Sequence, residues 1–230
     1  MDYGKPFTFM FEDREWVAKI LIGALFALLS IVLIGIPFVL GYALEVIRRV
    51  AAGREDVLPA WDDLGDKFVQ GLILVVILFI FYLPATLLGS CSSIFLSSLA
   101  DAGRSNVGGT VFGLLLALVN LLVGLYGFLI GLLIPAISIR YAMTRDFGAT
   151  FNLSALWQVV SADLGNYVLV LLVGWVAGVI ASLGVIACII GVFVTGFWSM
   201  LVQGHLYGQY YRNFVSRVPP MPAEPTAPAF

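Results

Sequence analysis

Charge is scarce in this chain. Asp, Glu, Lys and Arg make up only 11% of its 230 residues, while hydrophobic types make up 61%. Soluble domains carry about 25% charged and 45–50% apolar residues. A soluble fold would expose much of the apolar excess to water, whereas lipid tails solvate it. Cysteine is nearly absent as well. Cys91 and Cys188 lie far apart, no CxxC occurs, and His205 is the only histidine. Neither metal nor redox spacing is present, so both cysteines read as small packed hydrophobes. No phosphate loop, nucleophile elbow or HExxH occurs either, so no catalytic, cofactor-binding or metal residue is assigned and no cofactor is expected. A net charge of −2 calls for neither nucleic acid nor a strongly charged partner. The first sixteen residues hold Asp2, Lys5, Glu12, Asp13, Arg14 and Glu15. That is not the basic start of a signal peptide, so the apolar stretches read as mature membrane segments.

What the chain does have is long uncharged runs: 25 residues from Ile20 to Leu44, 33 from Phe68 to Ala100, 35 from Ser105 to Ile139 and 48 from Leu164 to Tyr211. A crossing needs about 20 helical residues. The last run would be about 72 Å of straight helix, so it must fold back, with Ser182-Leu183-Gly184 as the turn. The fold class is therefore an all-α, polytopic transmembrane helical bundle. Crossings are expected near 70–89, 111–139, 166–183 and 186–207, with a loop and surface helix around Ser90 to Gly109. Residues 1–217 form one membrane domain of hairpins 16–50, 68–140 and 164–212. The segment 218–230, with its five prolines from Val218 onward, is expected to be a disordered tail.

Residues 17–47 admit two readings. One is a single long helix kinked at Gly35-Ile36-Pro37, which gives about five crossings. The other is a re-entrant hairpin of two limbs, which leaves four crossings. Charge topology separates them. If the segment spans, Lys5, Arg14, Lys19 and Arg104 lie outside and the twelve basic residues split 8 in, 4 out; if it re-enters, the split is 11 and 1. The positive-inside rule favours the second and places both termini in the cytoplasm. Amphipathic helices at the membrane surface are expected at 57–69 and 153–165, each bearing a tryptophan, with Pro59 in the first turn of one and Asn152 capping the other. Trp16 after Asp13, another candidate cap, completes a weak threefold pattern. Tyr42, Tyr141 and Tyr210, each near an arginine, close the three hairpins as headgroup-level residues.

Three stretches taken together resemble a known family: Asp13-Arg-Glu-Trp16 with Lys19 and Leu21-Ile-Gly23; Leu58-Pro-Ala-Trp-Asp-Asp-Leu-Gly-Asp66 with Phe68 and Gly71-Leu72; and His205-Leu-Tyr-Gly-Gln209. The chain is similar over nearly its whole length to the uncharacterised prokaryotic membrane-protein family called domain of unknown function 4013. The resemblance implies a multi-pass protein of a bacterial or archaeal cell membrane. It carries no activity and no functional residue to transfer.

Few residues remain as candidates for function. Trp61, Asp62, Asp63 and Asp66 form a surface for a cation or a basic partner, or simply a solvated helix face. Glu45 shares a helix face with Arg48 and Arg49, as a membrane-edge ion pair or, if deeper, a functional group. Asn120, Gln203, His205 and Gln209 are polar residues inside uncharged runs, suited to interhelical hydrogen bonds or to a solute path. The pairs Gly127/Gly131, Gly174/Gly178 and Gly204/Gly208 offer flat faces for close packing, within the bundle or with other subunits. The partners expected are the lipid bilayer and other membrane-protein subunits or a second copy. The functional classes are an accessory or structural subunit, a small-solute or ion transporter or channel, and a lipid-modifying enzyme.

Overall fold

The computed structural model describes residues 1–102, 106–187 and 191–217. Cys188, Arg104 and the 218–230 tail lie outside the described residues. Every regular element among the described residues is helical: α1 (Lys5–Thr8), α2 (Trp16–Leu29), α3 (Gly35–Ala51), α4 (Leu64–Ala102), α5 (Asn106–Thr144), α6 (Leu153–Ser161), α7 (Leu164–Ser182), α8 (Gly184–Ala187) and α9 (Gly191–Asn213). Three segments are long and apolar enough to cross a membrane: Leu64–Phe95, Thr110–Thr144 and Leu164–Ile186. A fourth arises if Lys5–Glu12 and Trp16–Val32, bent by 113°, count as one. The protein is thus an all-α membrane protein. The chain divides into two compact units, Met1–Val75 with Pro135–Phe230, and Val76–Ile134.

In the first unit, residues 17–47 fold back on themselves. The rings of Phe26 and Phe38 stack with centroids 4.5 Å apart, whereas twelve residues of continuous helix would separate them by about 18 Å. The break comes earlier than Gly35-Ile36-Pro37. A 3-10 turn spans Ser30–Val32, and Leu33 takes a left-handed φ of 65°. Pro37 then falls in the first turn of α3, where an amide hydrogen would have no partner anyway. The limbs of 14 and 17 residues are about 21 and 26 Å long, short of the roughly 30 Å hydrocarbon layer.

Helix α9 packs along α2, α3 and α7. Gly204 and Gly208 meet α3 at Ala43, Val46, Ile47 and Val50, and Gly174 meets Gln203. Gly204, Gly208 and Gly174 thus meet neighbours within the chain, whereas a Cβ on Gly178 would have nothing within 4 Å. Helix α3 crosses the start of α4 at a contact only glycine permits. A Cβ on Gly41 would overlap the Lys67 carbonyl, and one on Gly71 would overlap that of Pro37. Asn152 caps α6, its Oδ1 accepting from the Ala155 amide at 3.1 Å, and Asp163 caps α7 through the Asn166 amide at 2.9 Å. Helix α7 ends at Ser182 with Leu183 as its cap.

Three expectations are corrected. No separate helix occupies 57–69, because residues 52–63 run as a non-helical loop and Leu64 begins α4. The α6 helix stops at Ser161, and Ala162 and Asp163 turn the chain into α7. Helix α4 continues through Ser90 to Ala102 rather than opening into a loop. Ser92 and Ser98 donate to the carbonyls of Gly89 (3.1 Å) and Ile94 (2.7 Å), so these hydroxyls are satisfied inside the helix. The second unit comprises the inner parts of α4 and α5. There the Tyr126 hydroxyl donates to the Phe81 carbonyl at 2.8 Å, and Gly127 faces the ring of Tyr82 and Gly131 its hydroxyl.

Candidate functional site

The loop between α3 and α4 builds the first polar assembly. Trp61 lies in the loop rather than on a helix, and it packs against both limbs of the hairpin. Its indole stacks on Tyr42 (4.4 Å) and Phe26 (4.9 Å), and its N–H donates to the Lys19 carbonyl at 2.9 Å. The buried Tyr42 hydroxyl donates to the Pro59 carbonyl at 2.9 Å. Lys19 reaches back to the Leu58 carbonyl at 3.2 Å and pairs with Asp13 at 2.6 Å. The loop thus inserts its tryptophan between the limbs of the hairpin. Asp13 is not a helix cap; it brackets the Glu15 amide and Lys19. Burial pushes its carboxyl up, but Lys19 and the Glu15 amide outweigh that and hold it below its ordinary value.

The second assembly is a charged cleft of about 450 Å³ where α3 ends, α4 begins and α5 ends. Lys67, only 3% exposed, lies 3.0 Å from Glu45 and 3.6 Å from Asp62. Arg49 joins Glu45 at 2.8 Å and Asp56 at 2.9 Å. Arg145 approaches Asp66 at 3.4 Å. Gln70 donates to Asp66 at 3.3 Å and accepts from the buried Tyr141 hydroxyl at 2.9 Å. The amides of Asp63 and Asp62, assisted by Lys67, hold the Asp62 carboxyl below its ordinary value. Arg48 and Arg49 sit in the last turn of α3, where cations suit the helix dipole. The acidic block is therefore interleaved with cations. Among the described residues, no group of three or more His, Cys, Asp or Glu is placed to hold a metal ion.

The third assembly surrounds His205. Its ring packs on Phe9 with centroids 4.5 Å apart. Gln209 bonds His205 Nδ1 at 3.1 Å and accepts from the Asp2 amide at 3.1 Å. The Tyr3 hydroxyl donates to Asn166. The N-terminal segment thus covers the polar turn of α9. Gln203 stays within its own helix, donating to Ser199 at 3.4 Å and accepting from Tyr207 at 3.2 Å. Asn120 is exposed and donates to the Leu116 carbonyl one turn back, at 2.8 Å.

The structure thus joins Glu45, Asp62 and Asp66 in one cleft with Asp63 lining it, pairs His205 with Gln209, and leaves Asn120 and Gln203 bonded inside their own helices. Lys67 and Arg145 were not singled out from the sequence as site residues, and Arg48 was named there only as a helix-face partner of Glu45. Lys67 reads there as part of a solvated face, and the one available signal was the spacing of Glu45 to Arg49. The three tryptophans of the threefold pattern have unlike surroundings. Trp16 meets Phe11 edge-on, Trp61 is inserted in the hairpin, and Trp157 is 61% exposed. The tyrosines expected at headgroup level, Tyr42, Tyr141 and Tyr210, are fully buried. Tyr210 donates to the Val159 carbonyl at 2.9 Å.

The model of one family, described as protein of unknown function (DUF4013), matches residues 24–190. The chain belongs to this family. The stretch shared with DUF4013 contains α3, the Trp61 loop, and the whole lining of the charged cleft from Glu45 to Arg145. It leaves out Asp13-Arg-Glu-Trp16 and the His205–Gln209 turn, so it is narrower than the sequence resemblance. No curated protein matches this DUF4013 chain, and no solved structure does.

Proposed function

We propose that this DUF4013 protein is a structural or accessory subunit of a membrane complex in a prokaryotic cell membrane. The observation that carries the reading is the exposure of its least covered spanning helix: in Thr110–Thr144 only 6% of the spanning window is buried inside the chain, against 28% and 22% in the other two. Such a helix presents apolar side chains outward, to lipid or to helices of another protein. A solute path would instead draw polar side chains to one route. Asn120, Gln203 and His205 each bond within their own helix. The folded-back α2–α3 pair supports a re-entrant first hairpin, and with it the 11-to-1 split of basic residues and a cytoplasmic charged cleft. The bond from Asp2 to Gln209 supports placing both termini on that side.

The test is site-specific photocrosslinking from Leu118, Leu121 and Leu125 in native membranes, followed by purification in mild detergent. The expected result is one heterologous membrane protein, crosslinked from these sites and co-purifying in fixed stoichiometry. A lone monomer with lipid adducts only, or crosslinks only to a second copy, overturns the reading.

A further inference from the structure

The charged cleft holds more than its ion pairs explain. Its lining carries five cations, Arg48, Arg49, Arg54, Lys67 and Arg145, against four carboxylates. Glu45, Asp62 and Asp66 each have a cation within 4 Å, and Arg49, Lys67 and Arg145 are thereby engaged. Among the described residues, Arg48 and Arg54 have no carboxylate partner. The Arg48 Nη1 is buried without any hydrogen-bond partner, a rare condition for a charged donor. Arg48 is largely desolvated and lies among the like charge of Arg145 and the opposite charges of Asp66 and Glu45, neither of which comes within ion-pair distance of it. Arg145 itself sits at a left-handed φ of 51° just past the end of α5. Non-glycine residues rarely adopt that conformation, and it tends to gather at ligand sites. The cleft lies at three helix ends, beside the start of the candidate span Leu64–Phe95 and the end of Thr110–Thr144.

We propose that this cleft binds a phosphate-type oxyanion, gripped by Arg48 together with Arg145 and Arg54. A guanidinium presents its donors as a fork that matches phosphate oxygens. The anion would accept the orphaned Nη1 hydrogen and relieve the repulsion between Arg48 and Arg145. Asp63, whose carboxylate accepts from the Asp66 amide at 3.3 Å, also lines the cleft; its charge opposes the anion and tempers its affinity. The phosphate belongs either to a lipid headgroup or to a soluble phosphate ester. The site is independent of whether α5 docks a partner.

The experiment uses the full chain. One arm measures thermal shift in neutral detergent with inorganic phosphate against chloride at matched ionic strength. The other counts lipids retained in native mass spectra after release from phosphatidylglycerol or phosphatidylcholine nanodiscs. A phosphate-specific shift in the first arm identifies a soluble ligand; one retained lipid in the second identifies a headgroup. In either arm Arg48→Gln lowers affinity about tenfold or more. Arg54→Gln, on the exposed loop and expected to leave folding intact, lowers it about two- to fivefold, and Asp63→Asn raises it by a similar factor. The proposal is overturned if neither arm detects binding. It is equally overturned if Arg54→Gln and Asp63→Asn leave the affinity of a folded protein unchanged, or if folded Arg48→Gln binds like wild type.

Discussion

The two units of the chain solve the same solvent problem in different ways. The first unit holds nearly all of the charge, and its polar groups are tied across helices: Trp61 to Lys19, Tyr42 to Pro59, Lys67 to Glu45, Tyr141 to Gln70. Residues 76–134 contain just two charged residues, Asp101 and Arg104, and serine, threonine and asparagine there bond mainly to their own helix. Specific polar and close-packed contacts give the first unit a single arrangement, while the second depends on apolar surroundings. Substitutions of similar size should therefore have unequal effects in the two regions.

The sharpest contrast lies between glycines. Gly41→Ala and Gly71→Ala drive a methyl group into backbone that has nowhere to move, and should destabilise by about 3 kcal/mol or more. Gly124→Ala has nothing within 4 Å of the new Cβ and should stabilise its helix by about 0.5–1 kcal/mol. Thermal unfolding in detergent reads both, and equal losses at the two kinds of site would erase the distinction. Next in size, Trp61→Ala should lose about 3 kcal/mol with its ring contacts, against less than about 0.5 kcal/mol for the exposed Leu121→Ala. Glu45→Gln should cost about 2 kcal/mol by leaving Lys67 buried without its closest partner. Adding Lys67→Met should recover part of that loss, and strictly additive losses would show the pair to be uncoupled.

The smallest effect is that of pH on Asp13. Its folded carboxyl titrates below the unfolded value of about 3.9. The stabilisation it provides is therefore present above that pH and is lost as the pH falls through the folded value. Wild type should be more stable than Asp13→Asn at pH 7 and pH 5, and the gap should close only under acid conditions well below pH 4. A gap that closes instead between pH 5 and 7 would assign the stabilisation to another group.

The membrane class and the helix content were legible in the sequence because they rest on long uncharged runs and local caps. Asn152 was legible for the same reason: a cap acts within one turn. Trp61 was not. Val57, Trp61, Leu64 and Phe68 have helical spacing, yet the partners that decide the matter, Lys19, Tyr42 and Phe26, are 19 to 42 residues away. Pro37 misled for a related reason, since a proline that would kink a helix interior also opens a helix, and only the left-handed Leu33 tells which. Of the charged cleft, the Glu45–Arg49 spacing was visible. The burial of Lys67 depends on the glycine contact between α3 and α4, which no pattern within either helix encodes.

The bond from Asp2 to Gln209 joins residues 207 positions apart, and Phe9 closes on His205 beside it. At a synthesis rate of about 5–20 residues per second, the N-terminal segment waits on the order of 10–40 seconds for the helix that receives it. During that interval the apolar face of Phe9 and Met10, both buried in the finished protein, is without its seat. This segment, made long before α9, is therefore completed only with it, and a bulky insertion beside Asp2 would be felt by α9.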